Sequence, residues 1–188
     1  NTRVVCWKNG STVKLGGLGG DAGTYLSCAD KQNNSATMTW QVGGANTDET
    51  FRGVINNECS NNKYKGKTSI IKEGTGYWRL TGANIYEGTT TVNGGELIVN
   101  GSKTGSGTVK VNADATLKGT GSVAGAVTVA KDGIVMGGDS LVNGSKLKLT
   151  GSLTMQKGAI LEVPAKKSGT TNSISVTGAL TLNDAVLQ

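Results

Sequence analysis

Histidine is absent from this chain of 188 residues, proline and phenylalanine occur once each, and aromatic residues make up only 4%. Without imidazole there can be no Ser-His-Asp hydrolase, no Cys-His protease, no His-ligated zinc and no imidazole proton shuttle. Chemistry is left to carboxylates, Lys, Arg, Tyr and three cysteines. Long apolar runs are also missing, so the sequence offers no segment for direct membrane insertion. No window of 11 or more residues holds a 3.6-residue apolar period uninterrupted by glycine, and very little helix is expected. The chain opens abruptly at Asn1 and stops in mid-pattern at Gln188, as a piece of a longer protein would.

Cys6, Cys28 and Cys59 all lie in the N-terminal third, an odd count at spacings that fit no zinc site. Two readings stand. If the segments holding Cys6 and Cys28 are adjacent coils, their separation of about one coil could stack them as a disulfide. Otherwise all three are buried thiols acting as small apolar residues.

What the chain does have is 30 glycines with apolar residues at regular alternate positions between them. Disordered glycine-rich segments have no reason to keep such alternation. Val109 and Val111 flank Lys110, Val127 and Val129 flank Thr128, and Leu147 and Leu149 flank Lys148. The rhythm continues through Leu153/Met155, Leu161/Val163, Ile174/Val176 and Leu180/Leu182. One face is apolar and the other polar, as half-buried strands require.

Turn residues separate these strands: Asn93-Gly94-Gly95, Asn112-Ala113-Asp114, Lys131-Asp132-Gly133, Gln156-Lys157-Gly158 and Leu182-Asn183-Asp184. Successive turns fall about 20 to 26 residues apart, the size of one coil of a parallel β-helix. Hairpins alone would give closer spacing. Gly and Asn supply the positive φ a sharp corner needs, and inward Val, Leu and Ile stack into columns. The expected fold is all-β, a single-stranded parallel β-helix, forming one domain over residues 1–188. Residues 1–68 are less regular coils with a polar loop near 56–67, and residues 69–188 are repeat-like coils.

The formal charge of +6 is spread singly along the chain. Lys110, Lys118, Lys146 and Lys148 read as solvent-facing ladder positions, and no aromatic-basic cluster suggests nucleic acid. Gly16-Gly17-Leu18-Gly19-Gly20-Asp21 begins like a calcium-binding nonapeptide, yet Gly23 replaces its large apolar position and no second copy lies nearby; a plain glycine turn is the better reading. Gly17-x-Gly19-x-x-Ala22 and Gly119-x-Gly121-x-x-Ala124 lack the helix that a dinucleotide site needs. No cofactor or metal is called for.

Asp114 and Asp132 occupy similar turns one coil apart and could pair as acid and base or share a cation, although Asp is an ordinary turn residue. Tyr64, Tyr77, Tyr86, Trp7, Trp40 and Trp78 could include a sugar-stacking platform. The core is the preferred place for Trp40 and Trp78.

The passages WQVGGANTDETFRGVI (Trp40 to Ile55) and SIIKEGTGYWRLTGANIYEGTTTVNGGELIVNG (Ser69 to Gly101) closely resemble the autotransporter-associated β-strand repeat of bacterial passenger domains. ATLKGTGSVAGAVTVAKDGIVMGGDS from Ala115, KLKLTGSLTMQKGAILEV from Lys146 and SISVTGALTLNDAVLQ from Ser173 look like the coils that commonly follow it. The resemblance implies a right-handed parallel β-helix that is secreted or displayed outside the Gram-negative outer membrane, as part of a larger surface protein. It assigns structural roles: Gly74, Gly76, Gly82, Asn84, Gly88, Gly94 and Gly95 as corners, and Trp78, Leu80, Leu97 and Val99 as core. A non-catalytic passenger or stalk segment follows, supporting export folding and surface presentation, with adhesion to host or glycan ligands as its use. The alternative is a glycan-binding or polysaccharide-cleaving β-helix module. Three cysteines and the lack of a C-terminal barrel depart from the usual passenger.

Overall fold

The computed structural model describes residues 2–28, 36–59, 64–139, 144–163 and 171–188. Among them the regular structure is strand, and the strands stack into three parallel sheets wound by one chain. Sheet I has eight strands: Thr12–Leu15, Thr37–Val42, Lys67–Lys72, Thr90–Val92, Val109–Val111, Val127–Val129, Leu153–Met155 and Leu180–Leu182. Sheet II has seven, from Glu49–Phe51 through Tyr77–Leu80, Gly95–Val99, Ala115–Lys118, Ile134–Met136 and Ile160–Glu162 to Val186–Leu187. Sheet III runs Ala83–Asn84, Ser102–Lys103, Ser122–Val123, Lys146–Leu149, Ser173–Val176. The chain visits I, II and III in turn and then returns to I one level on, which is a parallel β-helix.

Arg3–Cys6, Tyr25–Cys28 and Val54–Asn56 extend sheet III toward the N-terminus. The join is made partly by a side chain: Asn84 Oδ1 accepts from Ile55 N at 2.9 Å, Asn84 Nδ2 donates to Gly82 O at 3.0 Å, and Ile85 N donates to Ile55 O at 2.9 Å.

Coil length varies more than turn spacing predicts. In sheet I the paired residues Ile70–Thr90, Thr90–Val109 and Val109–Val127 are offset by 20, 19 and 18 residues. Thr12–Thr39, Thr39–Ser69, Val127–Leu153 and Leu153–Leu180 are offset by 27, 30, 26 and 27. Three short strands and three tight corners need only the smaller number, so the longer coils carry excursions. One is an antiparallel hairpin, Glu58–Cys59 with Tyr64–Lys65, inside the segment expected as a loop; residues 60–63 of that segment lie outside the described residues.

The interior is built from columns of stacked side chains. Trp40, Ile70, Thr90, Val109, Val127 and Leu153 follow one another in register in sheet I, and Trp78, Leu97, Leu117 and Val135 do so in sheet II; all are buried. Burial at roughly 25 cal/mol per Å² of apolar surface makes each column the main stabilising term of its face. At the C-terminal end the rhythm is the same but the environment differs. Leu180 and Leu182, expected on an apolar inner face, are 52% and 54% exposed, because no described coil lies beyond them.

Corners between sheets I and II share one backbone conformation. Gly95, Asp114, Asp132, Gly158 and Asp184 all have positive φ, from 49° to 76°. Asp114 N donates to Asp132 O, Asp132 N to Gly158 O and Gly158 N to Asp184 O, at 3.0–3.1 Å, so the corners are hydrogen-bonded coil to coil like the strands. The other two corners use glycine for a different reason. A Cβ on Gly82, Gly101 or Gly121 would overlap the carbonyl oxygen of Gly53, Gly82 or Gly101 respectively. One on Gly107 or Gly125 would overlap that of Gly88 or Gly107. None of these has positive φ, so the need is for space rather than for a left-handed backbone.

Candidate functional site

Two lysines stand inside the β-helix, in positions where strand alternation calls for an aliphatic residue. Lys72 lies between Val42 and Val92 in its column and is 1% exposed. Its Nζ donates to Glu73 O at 2.6 Å, Gly74 O at 3.2 Å and Gly94 O at 3.1 Å. These carbonyls belong to the sheet I–II corners of two successive coils, and a single ammonium with three donors satisfies them together. Burial lowers the Lys72 pKa from its ordinary value, opposed by Glu96, Asp48 and Glu73.

Lys103 lies between Asn84 and Val123 in sheet III and is 2% exposed. It donates to Gly105 O and Gly107 O, both at 2.7 Å, and sits 5.0 Å from the centroid of the Tyr86 ring. Burial pushes its pKa down to about 8. Tyr86 is fully buried, its hydroxyl 2.7 Å from Thr90 Oγ1, and burial pushes the phenol well up. Both lysines pair a desolvated charge with carbonyl dipoles, the arrangement that lets an ammonium reside in a core.

The residues assigned by resemblance fall as follows. Trp78, Leu80, Leu97 and Val99 are buried on sheet II, and the Trp78 indole N–H donates to Leu18 O at 2.8 Å, tying the first coil to the third. Phe51 packs against it with ring centroids 6.4 Å apart. Gly74 and Gly95 have positive φ; Gly76, Gly82 and Gly88 have backbone carbonyls of the preceding coil where a Cβ would lie, and Gly94 lies against Gly74. Asn84 is buried and bridges two coils, as described above.

Sites considered for chemistry prove scattered. Asp114 and Asp132 stack at one corner, but both are exposed, and Asp132 pairs with Lys131 at 3.4 Å. Their left-handed backbone is what the corner uses. In the Gly16–Asp21 segment, Gly17 packs on Thr47 and Glu49, Gly20 on Phe51, and the exposed Asp21 lies 3.7 Å from Arg52. Tyr86, Trp40 and Trp78 are buried and cannot form a sugar-stacking platform; Tyr77 lies under Arg79 at 4.5 Å, and Trp7 is 45% exposed. Lys110, Lys146 and Lys148 are exposed, but Lys118 is 8% exposed and closes on Glu96 at 2.7 Å. Its outward position is covered, contrary to a free ladder residue.

Cys6 and Cys28 are register partners on adjacent parallel strands, and both are free thiols. Cys28 is fully buried, donates to Met38 O at 3.5 Å, and has its pKa pushed up to about 11 by burial, which makes it unreactive.

A short alternating signal did mark Lys72: Ile70-Ile71-Lys72 places it on the same side as Ile70. Lys103, flanked by Ser102 and Thr104, gave none. The described residues contain no cluster of three or more Cys, Asp or Glu able to hold a metal.

Comparison with known proteins matches residues 70–99 to a family model described as the passenger-associated-transport-repeat. Over 71 residues, 37% of the chain, the sequence is 42% identical to the adhesin BmaC autotransporter of Brucella suis biovar 1 (strain 1330). The chain spans 2% of that relative's length.

Proposed function

We propose that this chain, which carries a passenger-associated-transport repeat, is a non-catalytic β-helical segment of a secreted or surface-displayed bacterial protein. Its work is to fold during export and to hold other parts of that protein outside the cell, with adhesion as the use. One observation carries the reading. The matched residues 70–99 are where the helix changes from a coil offset of 30 residues to offsets of 20 and 19, and they hold Gly82 and Gly88, each of which has a backbone carbonyl of the preceding coil where a Cβ would lie. The repeat is thus the stretch that sets close coil stacking, on which later coils build. Lys72 and its three carbonyl partners, Glu73, Gly74 and Gly94, lie within the same matched residues. The relative's description as an adhesin supports the surface role.

The test is to replace Gly82 and Gly88 together by alanine in the full-length protein. Surface display, read by protease accessibility on intact cells, should fall several-fold, and refolding of the purified chain should slow. Unchanged display with unchanged refolding would refute the reading. A glycan array on the chain addresses the alternative module: a specific hit abolished by Trp7→Ala would replace the scaffold reading with a binding one.

A further inference from the structure

After the strand Ile134–Met136 the chain turns back along the axis instead of passing straight to sheet III. Gly138 lies antiparallel to Gly119, its N–H donating to Gly119 O at 2.7 Å, whereas the three stacked sheets pair parallel throughout. One residue on, the Asp139 carboxylate accepts from Arg79 Nε at 2.9 Å, Arg79 Nη2 at 3.4 Å and Asn100 Nδ2 at 2.8 Å. The Asp139 side chain is fully buried and that of Arg79 is 12% exposed. Behind the turn, a Cβ on Gly137 would overlap the Ser173 carbonyl, and Gly138 lies against Asn172, itself 3% exposed and accepting from Ser145 N at 3.1 Å.

Residues 137–139 therefore touch five successive levels, those of Arg79, Asn100, Gly119, Met136 and Ser173. Ile98 records the crossing. It stands between Arg79 and Lys118 on the outward side of sheet II, outside the core cluster, yet it is 1% exposed. An outward isoleucine on a bare sheet would be wet; this one lies between Arg79, which Asp139 holds, and Lys118, which closes on Glu96.

We propose that Gly137–Asp139 is a clasp that closes last and sets how fast the β-helix comes apart. In a solenoid each coil contacts only its neighbours, so the structure can unzip one level at a time. The Arg79–Asp139 pair spans three coil boundaries and 60 residues of sequence. It cannot form until the levels of Arg79, Asn100 and Gly119 are stacked, so it is absent from a folding transition state built on neighbouring coils. Once closed, it must break before any of those levels can leave, and breaking a buried, bidentate pair strands a desolvated charge. Interactions formed after the transition state act on the unfolding rate and leave the folding rate alone.

Denaturant-jump kinetics on the chain test this. Asp139→Asn and Arg79→Met are each expected to speed unfolding by at least about tenfold and to change refolding by less than about twofold. Lys131→Met, which removes the exposed partner of Asp132, should leave both rates unchanged. If Asp139→Asn fails to fold, Arg79→Met and the milder Arg79→Lys carry the same comparison. An unfolding rate equal to that of the unmodified chain, or refolding slowed as much as unfolding is quickened, overturns the proposal.

Discussion

Lys103 shows how a single charge can be kept inside a dry column at a cost that depends on pH. In the unfolded chain its ammonium titrates near 10.5, and in the folded chain near 8. Below about pH 8 both states hold the proton, and the folded state bears the whole cost of the buried charge. Between about 8 and 10.5 the folded chain sheds the proton first, so stability rises with pH until the penalty is gone. The rise is at most about 3 kcal/mol, and smaller to the extent that the Gly105 and Gly107 carbonyls and the Tyr86 ring favour the charged form. Lys103→Met removes the titration while leaving those carbonyls without their donor. The urea midpoint of the chain relative to this variant should therefore rise from pH 7 to pH 10; a difference that stays constant would show that Lys103 is not titrating inside the core. Lys72 has three carbonyl partners instead of two, and Glu96, Asp48 and Glu73 oppose the lowering of its pKa by burial.

Strands and corners obey different constraints, and the glycines separate them. Gly121→Ala would push a methyl into the Gly101 carbonyl, a backbone atom that cannot rotate away, at a cost of about 3 kcal/mol. Gly10, at φ 73°, has nothing within 4 Å of a built Cβ, so Gly10→Ala should cost only backbone strain, about 1 kcal/mol. Equal losses in chemical denaturation would mean that coil spacing relaxes around the added methyl. The sequence carried the positions of the sheet I–II corners plainly, since Gly95, Asp114, Asp132, Gly158 and Asp184 lie within the turn strings that separate the alternating strands. It did not carry why the remaining corners are glycine. Positive φ is a property of one residue and its neighbours in the chain, whereas the space denied to Gly121 is taken by a residue one coil earlier. The Arg79–Asp139 pair was hidden for the same reason: nothing local to Gly137–Asp139 marks a contact that skips coils. Alternation likewise placed Lys118 outward but could not show that Glu96 closes on it.

Along the whole axis the β-helix is a stack in which the value of a side chain depends on whether both its neighbours in the column exist. Val129, Met155 and Leu182 occupy consecutive levels of one column, with Val129 and Met155 fully buried and Leu182 54% exposed. Strand type, alternation and inward direction are the same at all three, so sequence alone ranks them together. Nearest-neighbour stacking ranks them apart, because Met155 is covered from both sides and Leu182 from one. Met155→Ala should destabilise the chain by about 2–5 kcal/mol, the range for truncating a buried aliphatic side chain. Leu182→Ala should change stability by less than about 0.5 kcal/mol, as for surface substitutions. Comparable losses at the two positions in urea denaturation would show that the last level is covered in solution, by another copy of the chain or by a rearranged end, and that the column does not terminate at Leu182. A large loss at Met155 with little at Leu182 would instead leave the C-terminal level as an open edge whose contribution is set by the single coil beneath it.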